Sequence, residues 1–492
     1  MKTTPVEDID RIVSKANVAF LSYRKTPAAQ RAAFLRDAGK MIDAARNELA
    51  RIAARETNLD TDRLNVEIDR TVNQCYLFAE LLSEGSWVRA IIDTALPDRK
   101  PLPRPDLRQM QVALGPVAVF GASNFPFAYS VFGGDTVAAQ AAGCPVVYKV
   151  NPGHPDTSDA VAEIIVSAAN KNKLPEGIFD IVHGAANETG ERLVMHPAIK
   201  AVGFTGSLRG GRALFDAAGR RSEPIPVYAE MGSTNPVFIL PRILEKEAEK
   251  LAQVLYTSNT SGAGQFCTKP GIMITPEAQK SRKFSDLFAA QIRNTEPKAM
   301  LNEGILQNFT RSIETLRKKE KVKLLQVSPN GSNDKTAAYV FHTSAAEFLG
   351  DEELSEEMFG PGSLQVSASG IEEMMKIAEV LPGQITTSVW GTDDDLREYA
   401  GLIEYLQLKA GRIIINGVPT GVEVTAAMNH GGPYPATTDS KFTSVGTESI
   451  YRFTRPVCFQ NYPDFLLPPE LQNNNPRKIV RKLNGKLTDS SV

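Results

Sequence analysis

Apolar residues recur at helical spacing near the N-terminus, where Phe34, Leu35, Ala38, Met41, Ile42, Ala45, Leu49 and Ile52 fall on one stripe. A helix lying on a core needs such a stripe. Thr26 and Pro27 precede it, residue types that cap a helix and fill its first turn. A second helical pattern covers residues 62–84, after which "LPDRKPLPRPDLRQ" breaks all periodicity with prolines and predicts an extended connector. From Gly115 the pattern changes. Short β-rich runs alternate with helical ones: "PVAVFG", a helix to Gly143, "PVVYKV", a helix to Lys173, "IFDIVHG", a short helix, "IKAVGFTG", a helix to Gly219, then "PVYAEMG". Strand, helix, strand repeated this way predicts a parallel sheet with right-handed crossovers, which binds nucleotides at the carboxyl ends of its strands. After "NPVFIL" the texture is again α/β, with "GIMIT", "SLQVS", "SVWGT" and "GRIIING" as strands of a second domain. The polar, basic end "NNNPRKIVRKLNGKLTDSSV" is read as a solvated terminal helix.

Composition removes several functional classes. At 492 residues, 42% hydrophobic and 23% charged, the chain has the make-up of about three globular domains. Lys and Arg total 55 against 57 Asp and Glu, and a net charge of -2 gives no field to recruit nucleic acid or anionic membrane. The opening "MKTTPVEDID" has no apolar signal region, and no run of apolar residues is long enough to span a bilayer, so a cytoplasmic protein acting on small molecules is expected. Cys75, Cys144, Cys267 and Cys458 are widely separated and only five histidines are present, a pattern that fits neither a disulfide framework nor a zinc site.

The stretch "SGAGQFCTKPG" surrounds Cys267 with bare backbone. An isolated cysteine is more often an inert apolar side chain than a nucleophile. Gly262, Gly264 and Gly271, however, let a ligand or another backbone approach closely. "VGFTGSLRGGRALF" places glycines between a strand and a helix, where free N–H groups suit a phosphate, although turn chemistry alone also explains them. Lys149 ends the "VVYKV" strand on the edge where a nucleotide would lie. Glu230 ends an apolar strand between Ala229 and Met231, so desolvation is expected to raise its pKa towards that of a general base. Asn124 in "SNFPF" carries an amide that could donate to an oxyanion, or serve as an ordinary turn residue.

Together and in this order, "SNFPF", "VVYKV", "GFTGS", "AEMGS", "GQFCT", "EEMFGP" and "GRIIING" resemble the aldehyde dehydrogenase superfamily over nearly the whole chain. The resemblance implies a Rossmann-like cofactor domain (1–95 and 115–230), an α/β catalytic domain (231–440), and an oligomerisation arm with a C-terminal tail (96–114 and 441–492). It makes Cys267 the nucleophile, Glu230 the base for the deacylating water, and Asn124 with the Cys267 N–H the oxyanion hole. Glu357 would hold the nicotinamide ribose, Phe359 would pack near the nicotinamide, and Lys149 would contact the adenosine ribose. Ser207 would meet the pyrophosphate, which Gly206 lets approach. A homodimer or homotetramer is implied, with no metal, and the chemistry requires no histidine partner for the thiol.

The chain departs from many members at Glu230-Met231-Gly232-Ser233-Thr234 and in its tail. With "LPDRKPLPRPDLR", "AAGCPVV" and "HGGPYPATTD", it looks like the branch of 2-oxoglutarate semialdehyde dehydrogenases, which is close to the NADP-dependent fatty aldehyde dehydrogenases. Both substrates stay open, and so does a catalytically retired binding protein of the same fold. The family's coenzyme A-acylating enzymes are disfavoured because they would not need Glu230. NAD-using relatives carry an acidic residue three positions after the lysine, where this chain has Pro152, so NADP is the expected cofactor, with NAD possible. Arg212 is a second candidate for its 2'-phosphate. A dicarboxylate semialdehyde also requires a cation near the thiol, for which the sequence offers Arg104, Arg108 and Arg455 without placing them.

Overall fold

The structure is a computed structural model and describes residues 2–329, 331 and 335–492. The alternation that begins at Gly115 folds into five parallel strands, in the order Phe179–Val182, Val146–Lys149, Val117–Phe120, Ala201–Thr205, Val227–Glu230. Successive strands build outward on one side of Val117–Phe120 and then resume on its other side at Ala201–Thr205. That reversal opens a crevice at the carboxyl ends of the strands. Helices Ala28–Ala44, Thr61–Glu84 and Pro155–Lys171 belong to one core, where Phe34, Phe78 and Ile165 are buried. The other face is closed by Val6–Tyr23, Asn187–Met195 and Leu208–Gly219. The N-terminal stripe divides at Ala45 into two helices, Ala28–Ala44 and Arg46–Thr57.

A second sheet has the order Lys323–Val327, Tyr339–Ser344, Gly362–Ala368, Ile272–Pro276, Val237–Ile239, Gln384–Trp390, Ala410–Ile415. Its strands are parallel except for the first pair. The first two strands escaped the sequence reading. A third sheet joins Thr454–Gln460, Leu107–Ala113, Ile91–Asp93, Arg481–Leu483 and Lys486–Thr488. The last pair corrects the expected terminal helix, because the end of the chain is a hairpin. Asn484 and Gly485 form its two-residue turn with φ of 46° and 87°, the left-handed values that the Asn-Gly pair favours.

The first two sheets meet where the chain crosses from Glu230 to Val237, and one side chain holds the crossing. Gln384 Oε1 accepts from Ser233 Oγ at 2.8 Å, from the backbone N–H groups of Thr234 and Asn235 at 2.9 and 3.0 Å, and from Thr234 Oγ1 at 3.1 Å. The unusual Ser233-Thr234 pair therefore has a structural account, since its hydroxyls and amides converge on one buried carbonyl. Replacing Gln384 by Leu leaves two buried backbone donors without a partner, at about 1–3 kcal/mol each. A clear drop in the urea midpoint of unfolding is expected for Gln384→Leu, and an unchanged midpoint would show that this junction bears no stability.

Candidate active site

Cys267 follows a segment in which Gly262, Ala263 and Gly264 all adopt left-handed backbone, with φ of 56°, 55° and 65°. A side chain on Gly264 would put its Cβ 2.3 Å from the Gly360 carbonyl oxygen, so only glycine allows the thiol loop to lie against the "EEMFGP" segment. Asn235 Nδ2 donates to the Cys267 carbonyl at 2.8 Å and to that of Lys269 at 3.0 Å, anchoring the loop from behind. In front, Asn124 is 7% exposed and spends one amide hydrogen on the Gln265 carbonyl at 2.9 Å. Its second amide hydrogen remains for a ligand.

Glu230 is 3% exposed at the end of its strand, and an antiparallel bridge to Thr437 brings the C-terminal segment alongside. That segment delivers His430 and Ser444. His430 Nε2 lies 3.0 Å from Glu230 Oε1 and 3.6 Å from Cys267 Sγ, and the Ser444 hydroxyl donates to Glu230 Oε2 at 2.5 Å. Burial pushes the Glu230 carboxyl up, but the charge and hydrogen bond of His430, with Ser444 and Cys267, outweigh it and hold the group below its ordinary range. The expectation of a raised Glu230 is thus corrected: desolvation acts as foreseen and loses to the donors. The Cys267 thiol is pushed well up, first by burial and then by the charge of Glu230, with Arg70 acting in the opposite sense. Sequence reasoning also missed His430, which it treated only as part of a branch marker. The ligand atoms of Glu230, Cys267 and His430 lie within 4.8 Å of one another.

Beside the thiol lies a cavity of about 420 Å³, lined by Asn124, Gly206, Ser207, Glu230, Cys267, Glu357 and Phe359 among others. Seven of the nine residues singled out in the sequence therefore converge on one space. Ser207 caps the helix Leu208–Gly219, its hydroxyl accepting from Gly210 N at 3.2 Å. At Gly232 a Cβ would stand 2.5 Å from Glu357 Oε2, so this glycine makes room for the carboxylate. Burial pushes Glu357 up and Lys269 down, and the charge of each partly offsets the shift of the other. These features fit a dinucleotide: a strand-to-helix turn with a capped N-terminus for phosphate, and a buried carboxyl for hydroxyls.

The other two residues are placed differently. Lys149 is half-buried at its strand end without lining the cavity, and burial lowers its pKa. Arg212 is exposed, and its Nε donates to both oxygens of Asp216 at 2.9 and 3.0 Å. Asp216, one helical turn on, and the Tyr434 hydroxyl, 3.4 Å from Nη1, hold this guanidinium at the surface, and it does not line the cavity. Arg104, Arg108 and Arg455 all belong to the third sheet and its approach: Arg104 bonds to Thr94 O, Arg108 to Asp106, and Arg455 lies on the exposed strand Thr454–Gln460. None of them lines the cavity.

Comparison with known proteins agrees with this geometry. Residues 1–454 match the model of the aldehyde dehydrogenase family. The chain is 44% identical over 487 residues to the alpha-ketoglutaric semialdehyde dehydrogenase of Acinetobacter baylyi, covering 99% of this chain and 92% of that protein. It is 42% identical over 480 residues to alpha-ketoglutaric semialdehyde dehydrogenase 2 of Azospirillum brasilense, covering 97% and 91%. Among solved structures, glyceraldehyde-3-phosphate dehydrogenase of Methanocaldococcus jannaschii, complexed with NADP, superposes with a TM-score of 0.78 at 19% identity, covering 94% of this chain and 95% of that one. At that identity the likeness speaks for the fold alone.

The electrostatics make a prediction about the thiol itself. Alkylation of Cys267 by iodoacetamide, mapped by peptide mass to separate it from exposed Cys458, should still accelerate as pH rises past 9 in the cofactor-free protein. Glu230→Gln removes the repelling charge and should bring the midpoint down. A wild-type plateau below pH 8 would contradict this arrangement.

Proposed function

The chain belongs to the aldehyde dehydrogenase family, and from that premise we propose that it oxidises 2-oxoglutarate semialdehyde to 2-oxoglutarate with NADP. The observation that carries the reading is the convergence of Cys267, Asn124 and Glu230 on the cavity that Glu357 and Phe359 also line. The substrate is supported by the two relatives named for the same semialdehyde, each matched over more than nine-tenths of its length.

In this reading Cys267 gives its proton to Glu230, and the thiolate attacks the aldehyde carbon. The second Asn124 amide hydrogen and the Cys267 N–H receive the oxyanion as the thiohemiacetal forms. A nicotinamide held beside Glu357 and Phe359 would supply the hydride acceptor that the thiohemiacetal needs to become a thioester. Once Glu230 has released the thiol's proton to solvent, it takes a proton from water, whose oxygen attacks the thioester carbon; the Cys267–carbon bond breaks with its electron pair on sulfur, and the carboxylic acid product leaves as its carboxylate. His430 Nε2 faces both Glu230 and Cys267, and one nitrogen cannot donate to the first while accepting from the second. The charged Glu230 takes that hydrogen, so His430 acts as a positioning residue that keeps the base ionised.

For the cofactor, Glu357 and Phe359 would flank the nicotinamide ribose and ring, with Gly206 and Ser207 at the pyrophosphate. Pro152 leaves no carboxylate to repel a 2'-phosphate. Lys149, which forms no ion pair among the described residues, is the cation offered to it, while Arg212 is held by Asp216. Residues Leu102, Phe465, Leu466 and Leu487 are exposed around the third sheet and support its role as an oligomerisation arm.

The wild type should reduce NADP with 2-oxoglutarate semialdehyde at a higher kcat/KM than with decanal, and Cys267→Ser should abolish turnover. Preference for decanal would move the protein to the fatty aldehyde reading, and a tenfold preference for NAD would overturn the cofactor assignment. In His430→Ala, Glu230 loses the partner that lowers its pKa. Its active form is the carboxylate, so rate is lost as pH falls through that pKa, and the acid limb of kcat/KM should move to higher pH in the variant. An acid limb at the wild-type position would remove His430 from this role.

A further inference from the structure

Two arginines approach the thiol from outside the residues that line the cofactor cavity. Arg70, on the helix Thr61–Glu84, donates to the Tyr129 hydroxyl at 2.6 Å, and its guanidinium carbon stands 5.0 Å from the centre of that ring. The Tyr129 ring lies 6.1 Å from the ring of His430, whose Nε2 is 3.6 Å from Cys267 Sγ. Arg412 comes from the strand Ala410–Ile415 in the other sheet. Its Nη2 donates to the Pro419 carbonyl at 2.6 Å, and Nη1 lies 4.0 Å from Met428 Sδ, in the cluster that contains Tyr129.

Neither arginine forms a salt bridge among the described residues, and the Nε of each is buried without a hydrogen-bond partner. The carboxyl that feels the charge of Arg70, Glu67, is itself committed: burial pushes it up to about 7, and it accepts from Phe127 N and Ala128 N at 2.7 and 3.0 Å. Both positive charges act on the thiol region, Arg70 on Cys267 and Arg412 on Cys267 and Tyr129. Two part-buried guanidinium groups beside the thiol with no anion of their own offer a receptor for one.

We propose that Arg70 and Arg412 form a carboxylate subsite that receives the 2-oxo acid end of the substrate while its aldehyde carbon meets Cys267. The subsite rests on the substrate reading above and adds the residues that would select it. Tyr129, which lies under Arg70, and Phe125, whose ring is 5.2 Å from that of Tyr129, would meet the short methylene segment between the two ends. An uncharged aldehyde of the same length would make the same apolar contacts and lack an anion for the guanidinium groups.

The test compares 2-oxoglutarate semialdehyde with pentanal in the wild type, Arg70→Met and Arg412→Met, reading the ratio of their kcat/KM values. The ratio cancels any effect of lost charge on thiol ionisation, which both substrates share. Each variant should lower it by roughly ten- to a hundredfold through KM for the semialdehyde, as expected when a charged hydrogen bond is lost. Retained pentanal turnover reports that the variant is folded. An unchanged ratio in either variant would overturn the pair as proposed. A wild type that favours pentanal would instead overturn the substrate reading. A measurement on the wild type alone guards against misfolding: 2-oxoglutarate should inhibit pentanal oxidation at a concentration at least tenfold below that needed with pentanoate. Equal inhibition by the two would overturn the subsite.

Discussion

The site depends on a carboxylate kept charged inside the protein. Glu230 is almost fully buried, and an isolated carboxylate at such a depth would take up a proton rather than stay ionised. His430 and Ser444 prevent this by donating to opposite oxygens of the group. Both donors come from a segment some two hundred residues later in the chain, laid along the edge strand by the bridge between Glu230 and Thr437 and by the bond from Met231 N to Ala436 O at 2.8 Å. The ionised form of Glu230 therefore depends on the docking of the C-terminal segment.

The same charge sets the resting state of the thiol. Burial and the Glu230 carboxylate both disfavour a thiolate, which holds the Cys267 thiol in its protonated form. A thiol kept protonated in this way is protected from adventitious oxidation, since reactivity follows thiolate character. The cofactor side repeats the theme with Glu357 and Lys269, two buried groups of opposite sign that partly offset each other's desolvation. Gly232 and Gly264 complete the picture by omission, because a side chain at either would strike Glu357 or the Gly360 carbonyl.

Much of this was legible in the chain. The strand–helix alternation from Gly115 to Glu230 predicted the first sheet because period and breakers are local properties, and the strands Val117–Phe120, Val146–Lys149 and Ala201–Thr205 fall inside the runs that announced them. Glycines around Cys267 signalled close approach of a ligand or of another backbone, and Gly264 lies against the backbone of Gly360. The terminal hairpin was missed although its Asn-Gly turn was in plain view, because a basic, polar composition outweighed a two-residue signal. The strand Tyr339–Ser344 carries histidine, threonine and serine, which blur the apolar run of a buried strand.

Sequence by itself determined which chemistry was available: a thiol in a glycine-rich loop, a carboxylate ending an apolar strand, an amide before a turn, and the family resemblance they compose. Only the tertiary structure decided how those groups are charged and what they face. His430 sits next to Cys267 and Glu230 in space but 163 and 200 residues away in the chain, so no local pattern could pair them. Arg212 looked like a phosphate ligand until the helix turned it onto Asp216, while Arg70 and Arg412, on a helix and a strand of different sheets, are brought towards the thiol by the packing of the whole. A pKa, an ion pair and a binding subsite are properties of distance and burial, and both are fixed only when remote segments close on one another.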